Sequence, residues 1–190
     1  MAVLARTLPG WLYLLAVCIV LLQGAVAADS PSEYQVKAVF LFNFSRFVDW
    51  PEQAFKSPTD PFTIGVLGAD PFGPRLDEAV RGEHIGGHAL TVRRFDSADQ
   101  VDDCQILFID RSQAPQLDQI LKVLKHRGTL TVSEIEGSAQ RGVMVEFVTE
   151  SNRIRLKINA DAAHAAGLSI SSKLLRLADI VGPANGSHVP

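Results

Sequence analysis

Phe62-Thr63-Ile64-Gly65-Val66-Leu67-Gly68 is a short apolar run closed by a turn residue, and similar runs follow at residues 105–110 and 129–135. Runs of this length without polar alternation read as strands buried on both faces. Between the first two lies a helical pattern at residues 76–80, introduced by Pro74. Between the second and third, Leu117, Ile120, Leu121 and Leu124 recur at i, i+3, i+4 and i+7, and His126, Arg127 and Gly128 close the pattern as a helix C-terminus. Strand, helix, strand, helix, strand implies right-handed crossovers in a mainly parallel sheet. Leu90 and Val92 alternate with Thr91 and Arg93, as in an outer strand.

Further along, residues 142–149, a Glu150-Ser151-Asn152 turn and residues 153–159 predict a hairpin. Ile154, Leu156 and Ile158 share one face, and Arg153, Arg155 and Lys157 the other, where charge on an outer strand discourages edge-to-edge association. Two closing helices are expected, the last carrying Ile170, Leu174, Leu177, Ala178 and Val181 at helical spacing. The expected class is therefore α/β: a mainly parallel central sheet flanked by helices, with a C-terminal antiparallel hairpin, in a single domain over residues 28–181. Residues 182–190 read as a flexible tail.

Upstream, Ser32-Glu33-Tyr34-Gln35 has the S-x-x-Q pattern of a capping box, and Pro51 sets a stop, so a first helix is expected from there to about Trp50. Val36, Val39, Phe40, Leu41, Phe42, Phe44, Phe47, Val48 and Trp50 leave it without a clean polar face. Such a helix is expected to be buried nearly all round, either under its own sheet and a neighbouring helix or partly at an interface.

Before it, Arg6, the apolar run at residues 11–22 and Ala25-Val26-Ala27 have the order of a secretory signal. The run is shorter than the roughly 20 residues a membrane span requires, so residues 1–27 are expected to be cleaved off, sending the mature chain to the periplasm. Cleavage removes Cys18 and leaves Cys104 as the single cysteine, so the mature domain has no intrachain disulfide.

The chain of 190 residues is 47% hydrophobic and 21% charged with a net charge of −3, which excludes disorder, collagen and a multi-span membrane protein. No Lys/Arg run supplies the basic patch that nucleic acid requires. Gly65, Gly68 and Gly73 do not make G-x-G-x-x-G, and no G-K-[ST] occurs. His84 and His88 flank Gly86-Gly87, a turn rather than the helix that would pair two imidazoles. Ser138 misses G-x-S-x-G. No catalytic residue, metal site or cofactor is therefore expected, although a convergent hydrolase site stays open as a third reading. Gly68, Asp70, Phe72, Asp110 and Ser133 are expected around the carboxyl end of the sheet, the place where open α/β folds bind ligands. For Asp110 a capping or turn role is the plainer reading, and Cys104 reads as a buried small hydrophobe.

The order of segments resembles the YfiR family of periplasmic regulators. The likeness rests on Val39-Phe40-Leu41-Phe42-Asn43-Phe44-Ser45-Arg46-Phe47-Val48-Asp49-Trp50-Pro51, on Ile64-Gly65-Val66-Leu67-Gly68-Ala69-Asp70-Pro71-Phe72-Gly73 and on Cys104-Gln105-Ile106-Leu107-Phe108-Ile109. Later stretches at residues 129–133, 142–148, 153–159 and 168–178 add to it. The resemblance implies a non-enzymatic protein that represses an inner-membrane diguanylate cyclase by binding its periplasmic part, with relief when an outer-membrane lipoprotein captures it. Cyclic-di-GMP output and biofilm behaviour would follow. Relatives also stand beside sensor kinases and outer-membrane receptors, so a membrane sensor is an alternative partner, and a homodimer a further expected assembly. Some members use paired cysteines; here only Cys104 falls on a family cysteine position, so control by an internal disulfide is not expected. Phe40, Phe44, Phe47 and Trp50 are the expected partner-binding residues, because a helix without a polar face demands cover. The alternative function is a small-ligand sensor that uses the Gly68, Asp70, Phe72, Asp110 and Ser133 crevice and feeds a membrane kinase or receptor.

Overall fold

The computed structural model describes residues 32–182 apart from 126 and 152. The expected signal at residues 1–27, Cys18, His126, Asn152 and the tail beyond residue 182 lie outside the described residues. Helix α1 (Glu33–Phe47) begins with the expected box: the Gln35 N–H donates to Ser32 Oγ at 3.3 Å and the Ser32 N–H donates to Gln35 Oε1 at 2.6 Å. It ends three residues before Trp50, because Val48–Asp49 leave the helix as β1 and pair antiparallel with β9 (Ser169–Ile170). Nor is α1 buried all round. Lys37, Ala38, Leu41, Phe44 and Ser45 face inward, whereas Val39 is 51% exposed and Gln35 and Arg46 are exposed beside it.

The main sheet contains β2 (Phe62–Leu67), β3 (His84–Ile85), β4 (His88–Phe95), β5 (Ile106–Ile109), β6 (Leu130–Ser133), β7 (Val145–Glu150), β8 (Arg153–Ile158) and β10 (Asp179–Ile180). Their spatial order is β10-β8-β7-β6-β5-β2-β4-β3. The five strands from β7 to β4 are parallel, and β7–β8 is the expected antiparallel hairpin. Helix α2 (Pro74–Val80) connects β2 to β4, and α3 (Leu117–Leu124) connects β5 to β6. Every residue of β2, β5 and β6 is buried, as the apolar runs predict.

Strand alternation divides the core in two. Ile64, Val66, Ile106, Phe108, Leu130 and Val132 face the layer that holds α1 and α2. Leu67, Leu107 and Ile109 face the layer that holds α3. Period-2 side-chain direction thus turns one apolar run into two packed surfaces.

The expected last helix is a correction. Residues 169–180 form β9, the one-turn helix α5 (Ser172–Leu175) and β10 instead. Ser171 ends the local strand by donating its N–H to the Phe47 carbonyl at 2.8 Å, and its hydroxyl caps α5. The Val181 N–H then donates to the Ile158 carbonyl at 2.9 Å, so β10 runs parallel to β8. Two sheet edges compete for these residues, and their backbone bonds outweigh the helical spacing of the side chains. Leu177, expected on a buried face, is 77% exposed. The other closing helix is α4 (Ala160–Ala165), capped by Asn159 Oδ1, which accepts from the Ala162 N–H at 2.9 Å.

Candidate functional site

The parallel strands end together at one edge of the sheet, and the loops after β2, β5 and β6 meet there under the N-terminus of α1. The order β4-β2-β5 puts the reversal of connection direction between β2 and β5. Open α/β sheets bind ligands outside such a point. Of the residues expected there, Gly68 and Asp110 come together around the turn at Arg111–Gln116, whereas Asp70 turns to the start of α2 and Arg94. Gly68 has φ +94°, and a Cβ on it would stand 2.7 Å from Ser112 Oγ. Asp70 accepts from the Phe72 and Gly73 N–H groups at 2.8 and 3.2 Å and pairs with Arg94 at 3.0 Å. Asp110 accepts from the Ser112 N–H at 2.8 Å, the capping role read from sequence. Phe72 is wholly buried, edge-on to Phe108 at 4.8 Å. Ser133 is also buried, donating to the Ile109 carbonyl at 2.8 Å and accepting from the Ile135 N–H at 3.1 Å.

Beside these lies a charge cluster that the sequence reading missed. Lys37, wholly buried on the inward face of α1, has its ammonium on both Glu33 and the buried Glu134. The Tyr34 hydroxyl donates to Glu134 Oε1 at 3.1 Å, and Arg111 Nε approaches the same oxygen at 3.1 Å. Thr149 on β7 donates its hydroxyl to Glu33 at 2.9 Å. The Lys37 ammonium also sits 4.9 Å from the Tyr34 ring centre and 5.9 Å from that of Phe147. Two cations and two carboxylates cancel, which is the condition for keeping charge out of water. Burial, followed by the charge of Glu134, pushes the Tyr34 phenol up to about 12. The hydrogen bond from Lys37 holds the Glu33 carboxyl below its usual range. One signal in the sequence could have revealed the cluster. Lys37 is in phase with Leu41 and Phe44, so a helix that buries those two also buries an ammonium and requires a carboxylate from elsewhere in the chain.

The aromatic residues of α1 divide between core and surface. Phe44 is 0% exposed and stacks on Phe147 at 6.0 Å. Phe40 is half-buried over the same ring at 5.9 Å, and Phe47 is half-buried further along. Trp50 lies past the helix end, edge-on to Phe62 at 4.9 Å, with Nε1–H donating to the Gln105 carbonyl at 3.1 Å. On the outward side, Val39 stands beside half-buried Val36, Phe42 and Asn43, and the Arg46 guanidinium covers the Phe42 ring at 4.6 Å.

Other groups weighed from sequence are engaged locally. His88 stacks on Phe55 at 3.9 Å and bonds the Asp60 carbonyl through Nδ1, and His84 is exposed. The buried hydroxyl of Ser138 donates to Glu146 at 3.4 Å, while Glu146 also accepts from the Gly137 and Ala139 N–H groups, so this carboxylate clamps a loop. Cys104 is buried with Sγ donating to the Ile106 carbonyl at 2.9 Å, and burial pushes its thiol up to about 12. Among the described residues, no helix is long and apolar enough to cross a membrane.

A family model described as YfiR/HmsC-like (DUF4154) matches residues 34–179, and the chain belongs to that family. No curated protein matches the chain. Membership puts it among periplasmic regulators of cyclic-di-GMP signalling, which are regulators rather than enzymes.

Proposed function

We propose that this YfiR/HmsC-like chain is exported by cleavage after Ala27 and represses an inner-membrane diguanylate cyclase, or a related sensor, by binding its periplasmic domain. The protein favours the inactive arrangement of its partner and shifts the equilibrium by that difference in affinity alone. Capture by an outer-membrane lipoprotein relieves the repression. Support comes from α1: Val39 is 51% exposed, Phe40, Phe42 and Phe47 on the same helix are only half-covered, and so is Trp50 just past its end. The charge cluster holds the N-terminus of that helix in position, so the surface is presented without a cost of ordering on binding.

In Val39→Glu, periplasmic cross-linking to the cyclase should fall at least tenfold and cellular cyclic-di-GMP should rise, with the melting temperature unchanged. A normally folded Val39→Glu protein that still represses would reject the interface.

The second reading, a ligand sensor feeding a membrane kinase or receptor, is favoured by the reversal point between β2 and β5. Because Asp70 and Asp110 are already bonded to neighbouring backbone, a ligand there would have to displace the Arg111–Gln116 turn. A melting temperature raised by a periplasmic metabolite and insensitive to Val39→Glu would favour this reading over the first.

A further inference from the structure

At the opposite, amino edge of the parallel strands, a cavity of about 450 Å³ opens between α3 and α4. This volume falls within the roughly 300–1,000 Å³ of small-molecule sites, and a concave space of that kind suits a ligand better than a flat protein contact. Its body is aliphatic: Leu121 and Leu124 from α3, Met144 below, and Ala162, Ala165 and Ala166 opposite. Three alanines leave the room that larger side chains would fill. Gly142, held at φ +109°, adds a stretch of wall with no side chain. The buried Thr131 hydroxyl at the floor already accepts from the Met144 N–H at 3.1 Å. No aromatic ring among the described residues lines the space, so a flat base or indole has nothing to stack on.

The rim carries a net positive charge. Arg141 is paired with Asp118 at 2.9 Å, which cancels both. Lys122 and Lys125, exposed on the cavity side of α3, take part in no ion pair among the described residues. Two ammonium groups unpaired among the described residues, beside an aliphatic hole on a chain whose net charge is −3, select an occupant with an apolar body and an anionic head.

We propose that this cavity binds a medium-chain fatty acid, with the alkyl chain among Leu121, Met144 and the α4 alanines and the carboxylate at Lys122 and Lys125. The cavity takes nothing from the α1 face, so this reading goes beyond the repressor proposal and stands or falls separately from it.

Three probes of equal chain length, titrated calorimetrically into the protein below their aggregation concentrations, separate the contributions. Octanoate should bind one per chain, octan-1-ol at least fivefold more weakly, and octyltrimethylammonium not at all. The Lys122→Glu/Lys125→Glu protein, altered only at exposed side chains, should lose octanoate affinity at least tenfold and keep that for octan-1-ol within twofold. Ala162→Trp should abolish binding of both; a circular-dichroism melt checks its fold, and the lysine variant carries the test if that fold is lost. Val39→Glu should leave octanoate binding unchanged. The proposal is overturned by any one of three results: no saturable octanoate binding, equal affinity for all three probes, or full octanoate affinity in the lysine variant.

Discussion

Tyr34 reports on the buried charge cluster from inside it. Its hydroxyl donates to Glu134 while its ring lies against the Lys37 ammonium and edge-on to Phe72 at 5.7 Å. Burial and the adjacent carboxylate both favour the neutral phenol, which raises its pKa from 10.0 to about 12. The stabilisation from this raised value is present in full below pH 10 and fades as pH climbs through about 12. In a chain beginning at residue 28, Tyr34 is the single tyrosine, so tyrosinate absorbance at about 295 nm reads one group. The midpoint should lie near 12, and Glu134→Gln should move it part of the way back; a wild-type midpoint near 10 would show the phenol free of the cluster. Lys37→Met leaves Glu134 with only Tyr34 and the exposed Arg111 for partners. Breaking a buried pair from one side costs about 3 kcal/mol or more, measurable by urea denaturation.

At the scale of an element, α1 has two faces with different duties. Phe44, stacked on Phe147 with no exposure, belongs to the core, so Phe44→Ala should destabilise by about 3–5 kcal/mol and read out folding rather than binding. Val39→Glu lies on the outward face and should move stability by no more than about 0.5 kcal/mol. Comparing the two melts, before any partner is added, checks the division. The capping box at Ser32 and Gln35 was legible in the sequence because its donors and acceptors lie three residues apart. The inner register was not, because the apolar residues of the helix fall on every side of it and leave no clean polar face, so periodicity carries little information. The expected closing helix failed for a related reason: Leu174, Leu177 and Val181 have helical spacing, but Ser169–Ile170 and Asp179–Ile180 each find an unpaired strand edge.

Across the whole molecule, acid should weaken the fold through two carboxylates near the carboxyl edge. Glu33 is held below its ordinary 4.5 by the Lys37 hydrogen bond, and Asp77 below 3.8 by that from Arg94. Each contributes stability that is present above those ordinary values and is lost as pH falls through the lowered ones. The melting temperature should therefore hold level above about pH 5 and drop below about pH 4, with a shallower drop in Glu33→Gln. An equally steep drop in that variant would assign the acid sensitivity elsewhere.

Local pattern alone settled the parallel strands, the crossover helices and the β7–β8 hairpin, because the alternation or unbroken apolarity of a strand and the 3.6-residue stripe of a helix are written within a few residues. The same pattern put Gly68, Asp70 and Asp110 at one edge, since strand direction determines which loops meet. Tertiary structure alone decided that Lys37 pairs with Glu134, 97 residues away, and that Lys122 of α3 and Lys125 just past its end stand over an alanine-walled hole beside α4. Which buried charge meets which, and where a gap is left unfilled, depends on how layers pack across the sheet. Spacing along the chain does not encode it.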